Sequence, residues 1–207
     1  MTAAPRHHPD EPTLLACAAG GLDAVADLVV RTHLSACPAC RATVRMAEEI
    51  GGALLDRLAP EPMGEDALER LLGRLDRPEA PPPPGNPGLP PPLRHLPPAR
   101  ERWVAPGIRY TLLLRRNGGQ LGLLRVRPGA SVPQHGHHGS ELTCVLEGAF
   151  EDGPERYAAG DFTAAGERHS HSQQADATQG CLCLIATHGR LRFGTLLSRL
   201  WQPLMPF

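Results

Sequence analysis

Two short stretches hold most of the side chains that could do chemistry. The first is His33-x3-Cys37-x2-Cys40, one imidazole and two thiols within eight residues. Three chemistries compete for it: a zinc clasp, a redox C-x-x-C pair, and plain buried thiols. Zinc takes a tetrahedral set of nitrogen and sulfur ligands. Cysteines three apart share one face of a helix, and a helix's first turn favours thiolates through its dipole. A redox C-x-x-C follows a strand in a thioredoxin-like unit. Here the preceding residues have helical spacing, so zinc is the favoured reading. A closed site needs a fourth ligand. His7 and His8 are the nearest candidates, and Cys17 comes next although it lies inside a helix.

The second stretch is Gly129-x5-His135-x-His137-x3-Glu141-x6-Gly148. His135, His137 and Glu141 would converge from one strand and its lead-in, offering two nitrogens and a carboxylate. Such a set holds zinc, iron, manganese or nickel without choosing among them. Farther on, Cys181-x-Cys183 sits in an apolar run that reads as a strand, which places both thiols on one side and Leu182 and Leu184 on the other. Buried packing is the plain use of that pair, and oxidant sensing is the sharper one. Cys144 alternates away from Glu141 and Val145 and reads as packing.

The elements that must position these groups fall into two kinds. Asp10-Glu11-Pro12 is a helix start, with a capping acid and a first-turn proline, and Gly20-Gly21 stops that helix. A second helix begins near Asp23, with Val25, Leu28, Val29 and Thr32 at helical spacing and His33 on the same inner face. Cys37-Pro38 opens a third, whose stripe is Cys40, Val44, Ala47, Gly51 and Leu54. A short fourth carries Leu68, Leu71, Leu72 and Leu75, with at least half of that stripe expected to pack within the chain. The spacing predicts a small four-helix bundle over 1–77, near the lower size limit for a core, where a metal often adds stability. Residues 78–97 include Pro81-Pro82-Pro83-Pro84 and Pro90-Pro91-Pro92, a density that excludes a helix or central strand and predicts a semi-rigid extended linker. Residues 98–207 hold short runs at strand spacing: Ile108–Leu114, Gln120–Val126, Glu141–Leu146, Ala149–Glu151, Asp161–Ala164, Cys181–Ala186 and Leu191–Leu197. Turn signals separate them, which predicts an all-β sandwich or barrel.

Composition narrows the function. The formal net charge is −1 over 207 residues and every basic residue is arginine, so no general basic footprint calls for nucleic acid. The charge is uneven: residues 1–77 carry 8 Arg against 12 Asp and Glu, and residues 94–207 carry 13 Arg against 9. The acidic half suits a basic protein partner. No apolar run approaches the ~20 residues of a membrane helix, and the N-terminus lacks a signal-peptide core. A cytoplasmic, reducing location is expected, where clustered cysteines serve metals or catalysis more often than disulfides.

The His-x3-Cys-x2-Cys pattern between two helices, with a histidine 25 residues upstream of His33, resembles the zinc-binding anti-sigma domain. That resemblance implies His8, His33, Cys37 and Cys40 as the zinc ligands, with His7 the spare. The second stretch resembles the first motif of the cupin superfamily. The superfamily's second motif would begin at Gly160 and end at His171, which implies His135, His137, Glu141 and His171 as ligands of a second divalent metal, zinc being the first expectation. Gly166 and Arg168 replace that motif's usual proline and glycine, and His169 is a possible substitute ligand. A zinc anti-sigma domain, a proline linker and a C-terminal cupin (jelly-roll) barrel together resemble the ChrR family of cupin anti-sigma factors. The resemblance implies an α+β multidomain regulator that is not an enzyme. It implies a one-to-one complex with an extracytoplasmic-function sigma factor, released on oxidative stress of the singlet-oxygen type. A metal-dependent cupin dioxygenase with a helical accessory domain is the alternative.

Overall fold

The structure, a computed structural model, describes residues 4–75, 85–137, 139–166, 172–189 and 191–193, with side chains left aside at 137 and 191–193. His169 and His171 lie outside the described residues, as do the first proline run and the chain after 193. Four helices come first: α1 (Glu11–Ala18), α2 (Ala24–Ala36), α3 (Pro38–Leu55) and α4 (Ala67–Leu75). Ten strands follow: β1 (Arg102–Ala105), β2 (Ile108–Arg116), β3 (Gly119–Val126), β4 (His135–His137), β5 (Glu141–Asp152), β6 (Glu155–Ala158), β7 (Phe162–Ala165), β8 (Gln173–Ala175), β9 (Cys181–His188) and β10 (Leu191–Phe193).

The helix starts follow their capping chemistry. The Asp10 carboxylate accepts the Thr13 N–H at 3.0 Å, and Asp23 accepts those of Val25 and Ala26 at 3.0 and 3.2 Å. Pro12 and Pro38 occupy first-turn positions, where a missing N–H costs nothing. Gly20, at φ 67°, ends the first helix.

Among the described residues the paired strands are antiparallel: the main sheet runs β1-β2-β3-β9-β5-β6 with β7 and β8 also on β5, and β4 pairs with β10 in a separate two-stranded sheet. The two runs expected at 141–146 and 149–151 are one long strand, β5. It bends at Gly148, whose positive φ puts its Cα where a Cβ would overlap the Gly180 carbonyl. The first half of β5 pairs with β9 and β7, and its second half with β6 and β8. Four short strands, β1, β4, β6 and β8, have no counterpart in the sequence reading, because three or four residues carry too little periodicity to register.

Strand alternation divides the sheet residues between two cores. Tyr110, Leu124, Val145, Phe150, Cys181, Cys183 and Ile185 fill the barrel interior. Leu113, Leu121, Cys144, Phe162 and Leu184 face outward, into a second cluster completed by Leu14, Val25, Val29, Val30, Leu34 and Val44 of the helices. α2 is therefore wrapped on both sides, by α1 and α3 and by the sheet, which is why Val25, Val29, Val30 and His33 are all fully buried.

The second proline run departs from the extended spacer expected of it. Pro91–Leu93 forms a single 3-10 turn, with proline at positions that need no N–H donor. Leu89, Leu93 and Leu96 are buried in the core shared with α2. The α3 and α4 stripes depart in the opposite direction. Only Cys40 and Val44 of α3 are buried, Leu54 is 59% exposed, and α4 buries no residue.

Candidate metal centre

The loop between α2 and α3 brings His33 and the two cysteines to one corner. Cys37 caps α3, and its thiol sulfur accepts the Cys40 N–H at 3.5 Å. His33 lies in the last turn of α2, fully buried, with Nε2 3.4 Å from Cys40 Sγ. His8 arrives from the N-terminal arm. Its Nδ1 lies 3.5 Å from Cys37 Sγ and 3.4 Å from Cys40 Sγ. The four ligand atoms all lie within 4.8 Å of one another; three of the residues are buried and His8 closes the group from the solvent side.

These separations fit a tetrahedral ion. Bonds of about 2.3 Å to sulfur and 2.0–2.1 Å to nitrogen place neighbouring N and S ligands roughly 3.5 Å apart. A bound ion would change the protonation of this donor set. Burial, helped by the neighbouring Cys37, pushes the Cys40 thiol up to about 12, and burial pulls the His33 imidazole down. A divalent cation favours the thiolate and neutral imidazole forms in the same place. Zinc suits two nitrogens and two sulfurs better than a hard, oxygen-seeking cation does.

The candidates left over sit elsewhere. His7 turns away from the cluster, its Nε2 3.3 Å from Glu155 and its Nδ1 3.3 Å from Asp161, with its ring 4.3 Å from Tyr157. Cys17 donates to Asp27 at 3.5 Å, and burial pushes it up to about 11.

The sheet supplies contacts to this corner that sequence reasoning did not anticipate. His33 Nδ1–H donates to the Gly160 carbonyl at 2.8 Å. Asp161 Oδ1 accepts the backbone N–H groups of Arg6 and His7 at 2.6 and 3.0 Å, and Oδ2 accepts that of Ala158 at 2.8 Å. Phe162 N–H donates to the His7 carbonyl at 3.1 Å. Burial alone would raise the Asp161 carboxyl, but the N–H bonds from Ala158, His7 and Arg6 outweigh it and hold the group below its ordinary range. In the sequence this stretch reads as the Gly160 that opens a motif and the strand run Asp161–Ala164; nothing local signals a partner more than 120 residues away.

Of the second candidate set, the structure describes two side chains. His135 is buried at the start of β4, and its Nδ1–H donates to the Pro133 carbonyl at 3.0 Å, which fixes the ring's orientation. Glu141, at the start of β5, is 5% exposed; burial pushes its carboxyl up to about 7, against a bond from Thr143 Oγ1–H. The backbone of His137 pairs with Leu191. Cys181 and Cys183 share the barrel interior. Their pairing keeps the proton on Cys183, the deeper thiol, which donates to Cys181.

Comparison with known proteins extends this picture along the chain. The family described as the ChrR cupin-like domain matches residues 97–191. The anti-sigma-E factor ChrR of Cereibacter sphaeroides is 39% identical over 206 residues, covering 96% of this chain and 97% of that one. Among solved structures, the complex of Rhodobacter sphaeroides SigE with the anti-sigma ChrR contains a chain that is 38% identical. It superimposes with a TM-score of 0.76, over 88% of this chain and 99% of that one. The likeness runs through the helices and the sheet alike, and on that extent of identity the chain belongs to the ChrR family.

Proposed function

We propose that this protein is an anti-sigma factor: it binds an extracytoplasmic-function sigma factor one-to-one, withholds it from RNA polymerase and releases it on oxidative stress of the singlet-oxygen type. The similarity to a ChrR chain seen in complex with SigE supports the reading. The observation on this chain that carries it is an exposed apolar face of helix and loop. Met46, Ile50, Leu54 and Leu55 on α3, Leu58 and Met63 beyond it, and Leu68, Leu71, Leu72 and Leu75 on α4 are each at least half exposed. Apolar side chains exposed in that number on two helices mark a partner-binding surface, and a partner that takes helices into an apolar groove accounts for them. A regulator fits these features better than a cupin dioxygenase does, since a dioxygenase has no need of an unpartnered helix.

Within this reading, residues 1–77 hold the partner, 78–97 connect, and 98–207 respond to the signal. His8, His33, Cys37 and Cys40 hold zinc, which acts as a structural cross-link. Cys37 and Cys40 anchor the start of α3, and His33 anchors the end of α2. His8 ties the N-terminal arm to that corner, so the arm and both helices present α3 in one orientation. His135, His137, Glu141 and His171 hold a second divalent metal, zinc first in expectation. The buried, oriented ring of His135 and the buried Glu141 support that part. Among the described residues no helix is long and apolar enough to cross a membrane, and a cytoplasmic location fits a partner that competes with polymerase.

Co-expression with an extracytoplasmic-function sigma factor from the same organism, followed by size-exclusion chromatography with light scattering, tests the proposal. The expected result is a one-to-one complex that abolishes transcription from the sigma factor's promoter in a purified system. Separate elution of the two proteins with full transcription would contradict it.

A further inference from the structure

The four residues of the metal centre divide by what holds them. Cys37 and Cys40 belong to the first turn of α3 and are fixed by that turn. The two histidines are fixed from outside the helices. His33 is oriented by the Gly160 carbonyl, which takes the proton of Nδ1 and leaves Nε2 for a ligand. His8 follows immediately after a residue pinned at both its backbone groups: His7 N–H to Asp161, His7 carbonyl from Phe162. Asp161 also bonds the Arg6 N–H, and it closes its own turn by accepting the Ala158 N–H. One carboxylate, 2% exposed, thus shapes the turn that presents Gly160 and grips the arm that presents His8. The fit around the turn is tight. Gly160 has φ +96°, and a Cβ there would come within 2.9 Å of Pro5 and 3.5 Å of Ala36.

The turn is also part of the sheet. The Val145 N–H bonds the Asp161 carbonyl at 3.0 Å, and the Gly160 N–H bonds the Val145 carbonyl at 2.8 Å. Val145 stands four residues along β5 from Glu141. No other part of the sheet is bonded to both histidine-bearing segments among the described residues.

We propose that the Ala158–Phe162 turn is the outer shell of the N-terminal metal centre, with Asp161 as its positioning residue, so that metal affinity at that centre and docking of the arm and helices on the sheet are reciprocally linked. The inference rests on the zinc reading of the four residues. Outer-shell partners fix the ring and tautomer of a ligand histidine, and removing one typically weakens metal binding about 10–100-fold. Linkage makes the effect mutual: what docking does for metal, metal does for docking. A displacement of β5 therefore reaches the zinc ligands through two hydrogen bonds to one turn.

Competition of the full-length chain against a chromophoric zinc chelator tests this, with Asp161→Ala and the milder Asp161→Asn compared with wild type. Cys37→Ser/Cys40→Ser identifies which zinc ion belongs to the cluster. Asp176→Asn is the control, because Asp176 caps its own turn through Thr178 and Gln179 and pairs with Arg156, not with the arm or the helices. The expected result is a loss of about 10–100-fold in affinity for that ion in Asp161→Ala, a smaller loss in Asp161→Asn and none in Asp176→Asn. Equal zinc content in wild type and Cys37→Ser/Cys40→Ser would remove the zinc reading itself and the inference with it. Wild-type affinity in both Asp161 variants, with zinc still lost from the cysteine variant, would overturn the linkage alone. Hydrogen exchange on the wild-type chain covers the case in which Asp161→Ala fails to fold. Chelation should speed exchange at Arg6, His7 and Phe162 at least tenfold relative to β3, and unchanged exchange there would overturn the proposal.

Discussion

His33 is the side chain on which both halves of the molecule act. One ring nitrogen bonds the sheet and the other faces Cys40, and the ring is fully buried between them. His33→Ala should therefore remove zinc and leave the Gly160 carbonyl without its donor. We expect a loss of more than about 2 kcal/mol in urea denaturation, from the orphaned polar group and the cavity together. Glu141 offers a test of different sign. In the metal-free chain its folded pKa of about 7 lies above the ordinary 4.5, so the folded state binds the extra proton between those values. The Glu141 contribution to stability is then fully present below pH 4.5 and is lost as pH rises through 7, by up to roughly 3 kcal/mol. Comparing wild type with Glu141→Gln after chelation isolates this slope, which should vanish in the variant. A bound divalent cation reverses the preference by stabilising the carboxylate.

α2 and α4 show what an element's surroundings make of similar sequence. Both carry aliphatic residues at helical spacing, yet α2 is enclosed on two sides and α4 on none. Leu71→Asp/Leu72→Asp should accordingly leave folding within about 0.5 kcal/mol, as for other surface changes. It should weaken the sigma-factor complex at least about tenfold, as interface anchors do. Thermal melting and a binding titration on the same preparation separate the two effects. Periodicity revealed the long helices, β2, β3 and β9, and spacing alone drew His33, Cys37 and Cys40 together, because those signals are local. It could not tell that the Leu68–Leu75 stripe faces solvent, since an apolar stripe looks the same whether its partner is the same chain or another. Asp161 was invisible for a related reason: its bonds to Arg6 and His7 span 155 and 154 residues, and no spacing rule connects them.

Across the whole molecule, one apolar core joins α1–α3, the Leu89–Leu96 segment and the outer face of the sheet. Helical and sheet probes should therefore lose structure together on urea unfolding of the zinc-loaded chain, with far-ultraviolet ellipticity and the fluorescence of Trp103 in a Trp201→Phe variant giving coincident midpoints. Two separated transitions would mean that the shared core contributes little. The proline-rich passage contributes to this unity through Leu93, which is fully buried although prolines precede it. Sigma-factor binding should require zinc at His8, His33, Cys37 and Cys40, because that ion would hold the helices in their binding arrangement. Native mass spectrometry of the co-expressed complex puts this to the test. The expected result is a one-to-one complex carrying zinc in the wild type, and loss of both one zinc ion and the partner in Cys37→Ser/Cys40→Ser. A cysteine variant that keeps its zinc count and its partner would contradict it.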